Sequence, residues 1–199
     1  MGKLVVIVGN SGVGKTTLSR QLCRWGDFVA GYEQLKERPF QGLFSENRRQ
    51  YSIHNQVDFL IYRAEQELAI RQSPDDGIQD GGLELDYHVF THYFFDKGYL
   101  DDTEFELCRR VYRLVRAVLP PPDLIIHLTA PLPVLAERFA RRNRELEIAA
   151  QADLQAMQKL LDGWLGRQTE APVVVVDAGQ QEQDYTAVRS ELLGRIHDL

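Results

Sequence analysis

Short apolar runs along the chain alternate with stretches in which apolar residues recur every three or four positions. The runs are rich in β-branched residues and are bounded by Gly, Pro or Asp. Continuous runs of this kind are typical of strands buried on both faces, as in a parallel sheet covered by helices. The pattern predicts strands at 4–8, 124–128 and 173–176 and, less strongly marked, at 28–30 and 77–79.

The stretches between these strands have the apolar spacing of amphipathic helices. Because strands and helices alternate, we predict an α/β fold with a doubly wound, five-stranded parallel sheet flanked by helices, whose ligands bind at the carboxyl ends of the strands. We expect residues 1–199 to form one domain, because no repeat or linker interrupts them and this length fits one core. The helices are predicted at Lys15–Trp25, 47–71, 87–95, 103–118, 131–142, 152–165 and 185–199.

Composition and charge limit the kinds of binding partner that we expect for this domain. A net charge of −6 disfavours a nucleic-acid polymer as a partner, because proteins that bind one usually carry a basic face. The first apolar run is too short for the core of a signal peptide or for a membrane span. Cys23 and Cys108 lack the spacing of a redox or zinc motif. The sequence therefore predicts a cytoplasmic protein without a membrane partner.

A glycine-rich segment follows the first predicted strand and opens the first predicted helix. It matches GxxxxGK[ST], the P-loop pattern, whose backbone N–H groups cradle phosphates. Lys15 is placed to reach the β- and γ-phosphates, and the hydroxyl of Thr16 is placed to bind Mg²⁺. The alternative is a glycine turn without a ligand. The predicted cofactor is ATP, bound by Gly9, Asn10, Ser11, Gly12, Val13, Gly14, Lys15, Thr16 and Thr17.

A P-loop alone does not distinguish kinases from GTPases, motors or transporters, but four later segments are more specific. They read YEQLKERPF from position 32, NQVDFLIYR from 55, LPPPDLIIHL from 119 and RFARRNRELE from 138. In order and spacing, the chain from 9 to 185 resembles the deoxynucleoside kinase family, which includes deoxycytidine, deoxyguanosine and bacterial deoxyadenosine kinases. The resemblance implies transfer of the γ-phosphate of ATP to the 5′-hydroxyl of a deoxynucleoside.

The resemblance also implies a set of substrate-binding residues. Glu33 corresponds to a glutamate at the 5′ end of the sugar, and Glu147 to one that binds the 3′-hydroxyl. Gln56 corresponds to a base-binding glutamine and lies two helical turns before Arg63, so both share one face. Either of these two residues alone would more often be a solvated helix position. Substrate binding is thus predicted for Glu33, Gln56, Arg63, Asp86, Phe90 and Glu147, with Arg63 paired to Asp86 and Phe90 packed on the base.

The segment that begins at Arg138 and runs to about position 150 resembles the arginine-rich lid of the family. Cations around the transferring phosphoryl group supply much of the catalysis in such enzymes, so the resemblance implies catalytic roles for Arg138, Arg142 and Arg144. An ordinary basic helix face, paired with Glu137 and Glu145, is the alternative. Past the lid, the loop that brackets the adenine of ATP is matched by Asp177, Ala178 and Gly179.

Three positions depart from the family pattern. The third predicted strand is followed by Asp80, which is placed to accept the proton of the attacking hydroxyl and to bind Mg²⁺. The next residue, Gly81, stands where the family has an arginine, while Ser45 and Asp153 stand at positions where relatives often have tyrosine. These departures affect the sugar site more than the ATP site. If a lid arginine replaces the missing one, an arginine returned to position 81 should relieve the dependence on the lid.

Three functional hypotheses stay open at this point. The first is a deoxynucleoside kinase of nucleotide salvage, a homodimer like its relatives, in which Arg63 and Asp86 favour a purine. The second is a kinase of another nucleoside or small alcohol, and the third is a nucleotide-binding subunit without catalysis. Lys15, Thr16 and Asp80 favour an enzyme, because a scaffold needs none of them.

Overall fold

Five parallel strands form one sheet in the order β2-β3-β1-β4-β5. The computed structural model describes residues 2–32, 38–142, 151–179 and 184–199, except for the side chains of Arg142 and Gln151. Both β3 and β4 pair with β1, so the chain winds outward from the centre in two directions. The predicted doubly wound α/β fold is confirmed. The strands are β1 (Leu4–Gly9), β2 (Val29–Gly31), β3 (Gly77–Asp80), β4 (Leu124–Thr129) and β5 (Val173–Asp177).

Helices cover both faces of this sheet, and a π-helical turn over Asp86–Thr91 joins two of them. Short 3₁₀ turns precede the last two helices, at Gln151–Asp153 and Thr186–Val188. The helices are α1 (Lys15–Trp25), α2 (Gln41–Glu46), α3 (Arg48–Gln72), α4 (Gly82–Leu85), α5 (His92–Asp96), α6 (Asp102–Val118), α7 (Leu132–Arg142), α8 (Leu154–Leu165) and α9 (Arg189–His197).

Several helix boundaries differ from the sequence-based prediction. The predicted helix over 87–95 is the central part of a longer run made of α4, the π-helical turn and α5, whereas α2 was not predicted. The last helix was predicted from 185, but α9 begins at Arg189. Tyr185 has a φ of 55°, outside the right-handed helical region, so the helix cannot start there.

Two hydrophobic cores lie on opposite faces of the sheet, as the alternation along β1 requires. Val6 belongs to the core under α3, α6 and α8, whereas Ile7 belongs to the core under α1, α7 and α9. Both side chains are fully buried. Within the described ranges, no helix is long and apolar enough to span a membrane.

A buried charge cluster holds α3, α4 and α6 together. Glu67 of α3 is fully buried, and its two carboxylate oxygens accept hydrogen bonds from Arg116 of α6 at 2.9 and 2.6 Å. Arg116 Nε also lies 2.8 Å from Glu84 Oε1 of α4. Burial raises the pKa of Glu84 to about 7, against the opposing charge of Arg116. One guanidinium thus joins two carboxylates from different helices.

Candidate active site

The glycine-rich loop joins β1 to α1 at the carboxyl end of the central strand. Gly14, the residue before α1, has a φ of 111°. A side chain there would be strained, and its Cβ would collide with the hydroxyl of Tyr185. The buried Tyr185 therefore covers the start of α1 and leaves room only for glycine.

The side chain of Lys15 folds back over this loop. Its Nζ donates hydrogen bonds to the carbonyl oxygens of Gly9 at 3.0 Å and Asn10 at 3.1 Å. Two carbonyl oxygens thereby hold a cation over a loop of the pattern whose backbone N–H groups bind phosphates. The structure places Lys15 in the predicted cradle, and its contact with the β- and γ-phosphates stays a prediction.

Thr16 and Asp80 meet beside the loop although 64 positions separate them. Thr16 lies in the first turn of α1, and Asp80 is the last residue of β3. The Thr16 hydroxyl donates a hydrogen bond to Asp80 Oδ2 at 2.6 Å, and Asp80 is fully buried. A hydroxyl beside a carboxylate offers the hard oxygen donors that Mg²⁺ prefers. The donor set of the two predicted metal ligands therefore fits Mg²⁺.

Arg138 of α7 joins the loop to the segment after β5. Its guanidinium donates hydrogen bonds to the carbonyl oxygens of Val13 at 3.3 Å and Ala178 at 2.9 Å. The turn at Ala178 is fixed by Asp177, whose carboxylate accepts a hydrogen bond from Gly179 N at 2.8 Å. The two segments predicted to bind ATP are thus neighbours. Arg138 links them here, and its predicted place at the transferring phosphate stays a prediction.

A second group of polar residues lies between α3 and the π-helical turn. Arg63 Nε donates a hydrogen bond to Asp86 Oδ2 at 2.6 Å, and both side chains are buried. Gln56 Nε2 donates to the carbonyl oxygen of Asp86 at 2.8 Å and to Thr91 Oγ1 at 2.9 Å. The predicted pairing of Arg63 with Asp86 is present, and Gln56 and Arg63 share one face of α3. The amide nitrogen of Gln56 holds the π-helical turn, so base reading by this residue stays a prediction.

A family model described as deoxynucleoside kinase matches residues 5–199. The chain belongs to the deoxynucleoside kinase family. It is 23% identical over 203 residues to the deoxyadenosine/deoxycytidine kinase of Bacillus subtilis (strain 168), which covers 98% of this chain and 94% of that protein. It is 29% identical over 144 residues to the deoxyguanosine kinase of the same organism, covering 72% and 68%.

The fold agrees with this membership. A solved structure of deoxyadenosine kinase from M. mycoides, with products dCMP and a flexible dCDP bound, superposes with a TM-score of 0.83. Its sequence is 20% identical, and the match covers 96% of this chain and 99% of that one. The kinase class predicted from the sequence is confirmed with the family.

Gly81 is the position at which this deoxynucleoside kinase lacks the arginine of its family, and it lies beneath Arg63. Its φ of 94° and ψ of −65° form a backbone conformation that other residues rarely adopt. A Cβ built at position 81 would lie 3.0 Å from Arg63 Nη2. The absence of a side chain therefore gives the Arg63 guanidinium its space.

The other departures from the family pattern also have defined surroundings. Ser45 is exposed, and its hydroxyl donates a hydrogen bond to Gly42 O at 2.7 Å. Asp153 is buried and its Oδ1 lies 2.6 Å from Lys97 Nζ. Phe90, the residue predicted to pack on the base, is half-buried and lies on the π-helical turn.

Several predicted site residues lie outside the described part of the chain. Arg142 is the last residue of α7, and its side chain is not among those described. Thr17, in contrast, is described and lies in the first turn of α1 next to Thr16. The predicted residues beyond the described ranges are Glu33, Arg144 and Glu147.

Asn10 has a contact that sequence reasoning missed. Its Nδ2 donates hydrogen bonds to Leu154 O at 2.8 Å and Gln158 Oε1 at 3.0 Å, while its Oδ1 accepts from Ser11 N at 2.8 Å. One buried side chain thus ties the loop to the first turns of α8. The motif gives no sign of this tie, because its second position accepts any residue.

Proposed function

We propose that this protein transfers the γ-phosphate of ATP to the 5′-hydroxyl of a deoxynucleoside, with a purine base favoured. The observation that carries the proposal is the position of Asp80. This carboxylate lies 2.6 Å from Thr16 at the phosphate loop and is followed directly by Gly81, above which Arg63 lies. The phosphate cradle and the Arg63–Asp86 pair therefore meet at the end of β3, as a transfer between two bound substrates requires.

Asp80 is the proposed general base. The 5′-hydroxyl gives its proton to Asp80 while its oxygen bonds to the γ-phosphorus, and the bond from that phosphorus to the β–γ bridging oxygen breaks. Thr16 and Asp80 would hold Mg²⁺, which when bound neutralises charge on the phosphates. Lys15, from its place over the loop, supplies a further positive charge.

The lid supplies the remaining charge in this proposal. Gly81 offers no guanidinium to the attacking oxygen, so Arg142 and Arg144 take that part while Arg138 holds the loop and the Ala178 turn together. Glu33 and Glu147 are proposed to bind the sugar, and Asp177, Ala178 and Gly179 to bracket the adenine of ATP. Gln56 and Phe90 complete the base site.

The purine preference rests on Arg63 and Asp86. A guanidinium and a carboxylate together offer donors and acceptors to the polar edge of a base. Relatives named deoxyadenosine and deoxyguanosine kinases, from Bacillus subtilis and Dictyostelium discoideum, support purines, and one of these names includes deoxycytidine. Deoxycytidine is therefore the expected second substrate.

A homodimer is proposed through α3 and α6, in a cytoplasmic enzyme of nucleotide salvage. These two helices contact each other and together present large apolar side chains to solvent. Such a surface favours association with a second copy. The exposed large apolar residues of these two helices are Ile61, Leu68, Leu107, Leu114 and Val118.

A turnover assay tests the proposed function. The protein is incubated with Mg·ATP and each of the common deoxynucleosides, ribonucleosides and simple alcohols, and the 5′-monophosphate is measured. We expect deoxyadenosine or deoxyguanosine to react fastest and Lys15→Ala to abolish turnover without loss of fold. Fastest turnover of a ribonucleoside or an alcohol would favour the second hypothesis. Tight ATP binding without any turnover would favour the nucleotide-binding subunit.

A further inference from the structure

Gln66 of α3 lies three residues after Arg63 and uses both ends of its amide. Its Oε1 accepts hydrogen bonds from Arg63 Nη1 at 3.3 Å and Gln79 Nε2 at 3.4 Å. Its Nε2 donates to Tyr32 O at 2.8 Å and to Tyr62 Oη at 2.9 Å. One side chain therefore connects the guanidinium beside Asp86 to the end of β2.

The orientation of this amide is fixed by its neighbours. If oxygen and nitrogen were exchanged, the N–H groups would face the cationic guanidinium of Arg63, and the oxygen would face the carbonyl of Tyr32. Gln79 is fully buried on β3, and its Nε2 also donates to Arg63 O at 3.0 Å. The amide nitrogen of Gln79 therefore faces Gln66, which must present its oxygen to it. Gln66 thus has one satisfactory arrangement, which holds Arg63 and Tyr32 at once.

The end of β2 needs such support. β2 has three residues, Val29–Gly31, and in the described structure it pairs only with β3 at the edge of the sheet. A strand this short gains few ladder hydrogen bonds. The carbonyl of Tyr32, one residue past β2, is held by Gln66 and, at 3.3 Å, by the hydroxyl of Tyr62. Both holding groups come from α3, the helix that carries Arg63.

We propose that Gln66 is a positioning residue that couples the base site to the proposed sugar-binding carboxylate. It ties the guanidinium of Arg63 to the carbonyl of Tyr32, and Glu33 follows Tyr32 in the chain. The guanidinium proposed to serve the base and the carbonyl of Tyr32 are thereby held by one side chain. This inference rests on the proposed function, in which Arg63 serves the base and Glu33 the 5′ end of the sugar.

Two substitutions distinguish the contact of Gln66 with Arg63 from its contact with Tyr32. Gln66→Glu keeps an acceptor for Arg63 but cannot donate to Tyr32, so it should lower kcat about tenfold while the ranking of bases is kept. Gln66→Leu removes both contacts and should change both quantities. Gln72→Leu, on the exposed end of the same helix, is the matched control and should change neither. The KM for ATP and the melting temperature report any general loss of structure.

A double-mutant cycle tests whether Gln66 acts through Glu33. Gln66→Glu and Glu33→Gln are measured singly and together, and coupled residues give a combined loss smaller than the product of the single losses. We expect the double variant to be within about threefold of Glu33→Gln alone. Losses that multiply would overturn the proposal.

Amide hydrogen exchange of the ligand-free protein tests the positioning without turnover. In Gln66→Leu and Gln66→Glu, amides over 29–33 should exchange about tenfold faster, whereas Gln72→Leu should match the wild type. Unchanged exchange in both Gln66 variants would refute the inference even in an active kinase. Faster exchange in a protein without nucleoside kinase activity would instead refute the proposed function and leave the positioning role in place.

Discussion

The guanidinium of Arg63 occupies the space that a side chain at position 81 would need, with its Nη2 3.0 Å from the place of a Cβ there. The same guanidinium bonds Asp86 and Gln66. The missing arginine and the base site are therefore linked, because a residue larger than glycine at position 81 must move Arg63. The family arginine cannot return to this site without disturbing the pair of Arg63 and Asp86.

Gly81→Ala should therefore affect the nucleoside more than ATP. Its positive φ costs roughly 1 to 3 kcal/mol for any other residue, and the displaced Arg63 should raise the KM of the nucleoside. Gly98→Ala is the control, because Gly98 also has a positive φ, of 69°, but has no atom within 4 Å of its Cβ position. Both variants should lose stability in a thermal melt, and only Gly81→Ala should change nucleoside kinetics.

Gly81→Arg is expected to lower activity. The resemblance to the family alone predicts that an arginine at position 81 relieves the dependence on Arg142 and Arg144. The position of Arg63 predicts the opposite, because a side chain at position 81 would displace its guanidinium. Steady-state kinetics of Gly81→Arg, alone and combined with Arg144→Ala, decide between the two outcomes. A gain of activity in the combined variant would support the comparison with the family and contradict the expectation from the structure.

Asp80→Asn tests the general base. The amide keeps an oxygen for the Thr16 hydroxyl but cannot take a proton, so kcat should fall by about 10² or more while the KM of the nucleoside changes less. An unaltered kcat would remove Asp80 from proton transfer.

Asp86→Ala tests base recognition. It leaves the buried guanidinium of Arg63 without this carboxylate, a change that costs roughly 3 to 5 kcal/mol in comparable buried pairs. The ranking of deoxynucleosides by kcat/KM should change, while the KM for ATP should stay near the wild-type value. An equal loss for every base would show that the pair only supports the fold.

The sequence was sufficient to predict the sheet and the positions of its strands along the chain. Runs such as 4–8 are apolar because both faces of β1 are buried, and that cause acts locally. It was insufficient for α2, whose six residues are held in place by Phe44 in the core. The start of α9 was also missed, because Tyr185 has a positive φ and packs its hydroxyl against the distant Gly14, and neither feature has a local sequence signal.

The candidate site also has residues that the sequence predicts and residues that it does not. The loop around Lys15 is a local motif that the sequence alone identifies, and Thr16 beside Asp80 follows from two strand ends at one edge of the sheet. Gln66 and Gln158 were not predicted as site residues, because each matters only through contacts across the fold. A glutamine on a helix surface has no sequence signal for such contacts.

Gln158→Leu should weaken ATP binding through Asn10. The substitution removes the acceptor at 3.0 Å from Asn10 Nδ2 and leaves the bond to Leu154 O, so a loss of about 1 kcal/mol is expected, roughly fivefold in affinity. Gln155→Leu, on an exposed part of the same helix, is the control. Calorimetric titration with a non-hydrolysable ATP analogue measures both, and equal affinities would show that the tie to α8 does not matter.

Because Glu84 is buried, we predict that the free energy of unfolding depends on pH. Burial raises its pKa from 4.5 to about 7, so the folded state binds more protons than the unfolded state between these values. The contribution of Glu84 to the free energy of unfolding therefore falls as pH rises through that window and is least above pH 7. Arg116 and Tyr112 of α6 and Glu67 of α3 are the charged or titratable groups that face it.

Glu84→Gln keeps an acceptor for Arg116 but cannot ionise. It should raise the free energy of unfolding by up to about 3 kcal/mol at pH 8 and change it little near pH 5. Glu106→Gln, on the solvent side of α6, is the control and should leave the pH profile unchanged. Denaturant melts at several pH values measure the difference, and a pH-independent effect would contradict the assignment.

The contact of Tyr185 with Gly14 has a consequence for how the chain folds while it is being synthesised. The ribosome makes Gly14 early, while Asp80 comes much later and Tyr185 only after β5. The nascent chain therefore carries an open phosphate loop through most of translation and closes it once the segment beyond β5 has emerged. Affinity for ATP should consequently appear late and abruptly in a series of ribosome-stalled chains, and a stall before Tyr185 should leave the first helix without its cover.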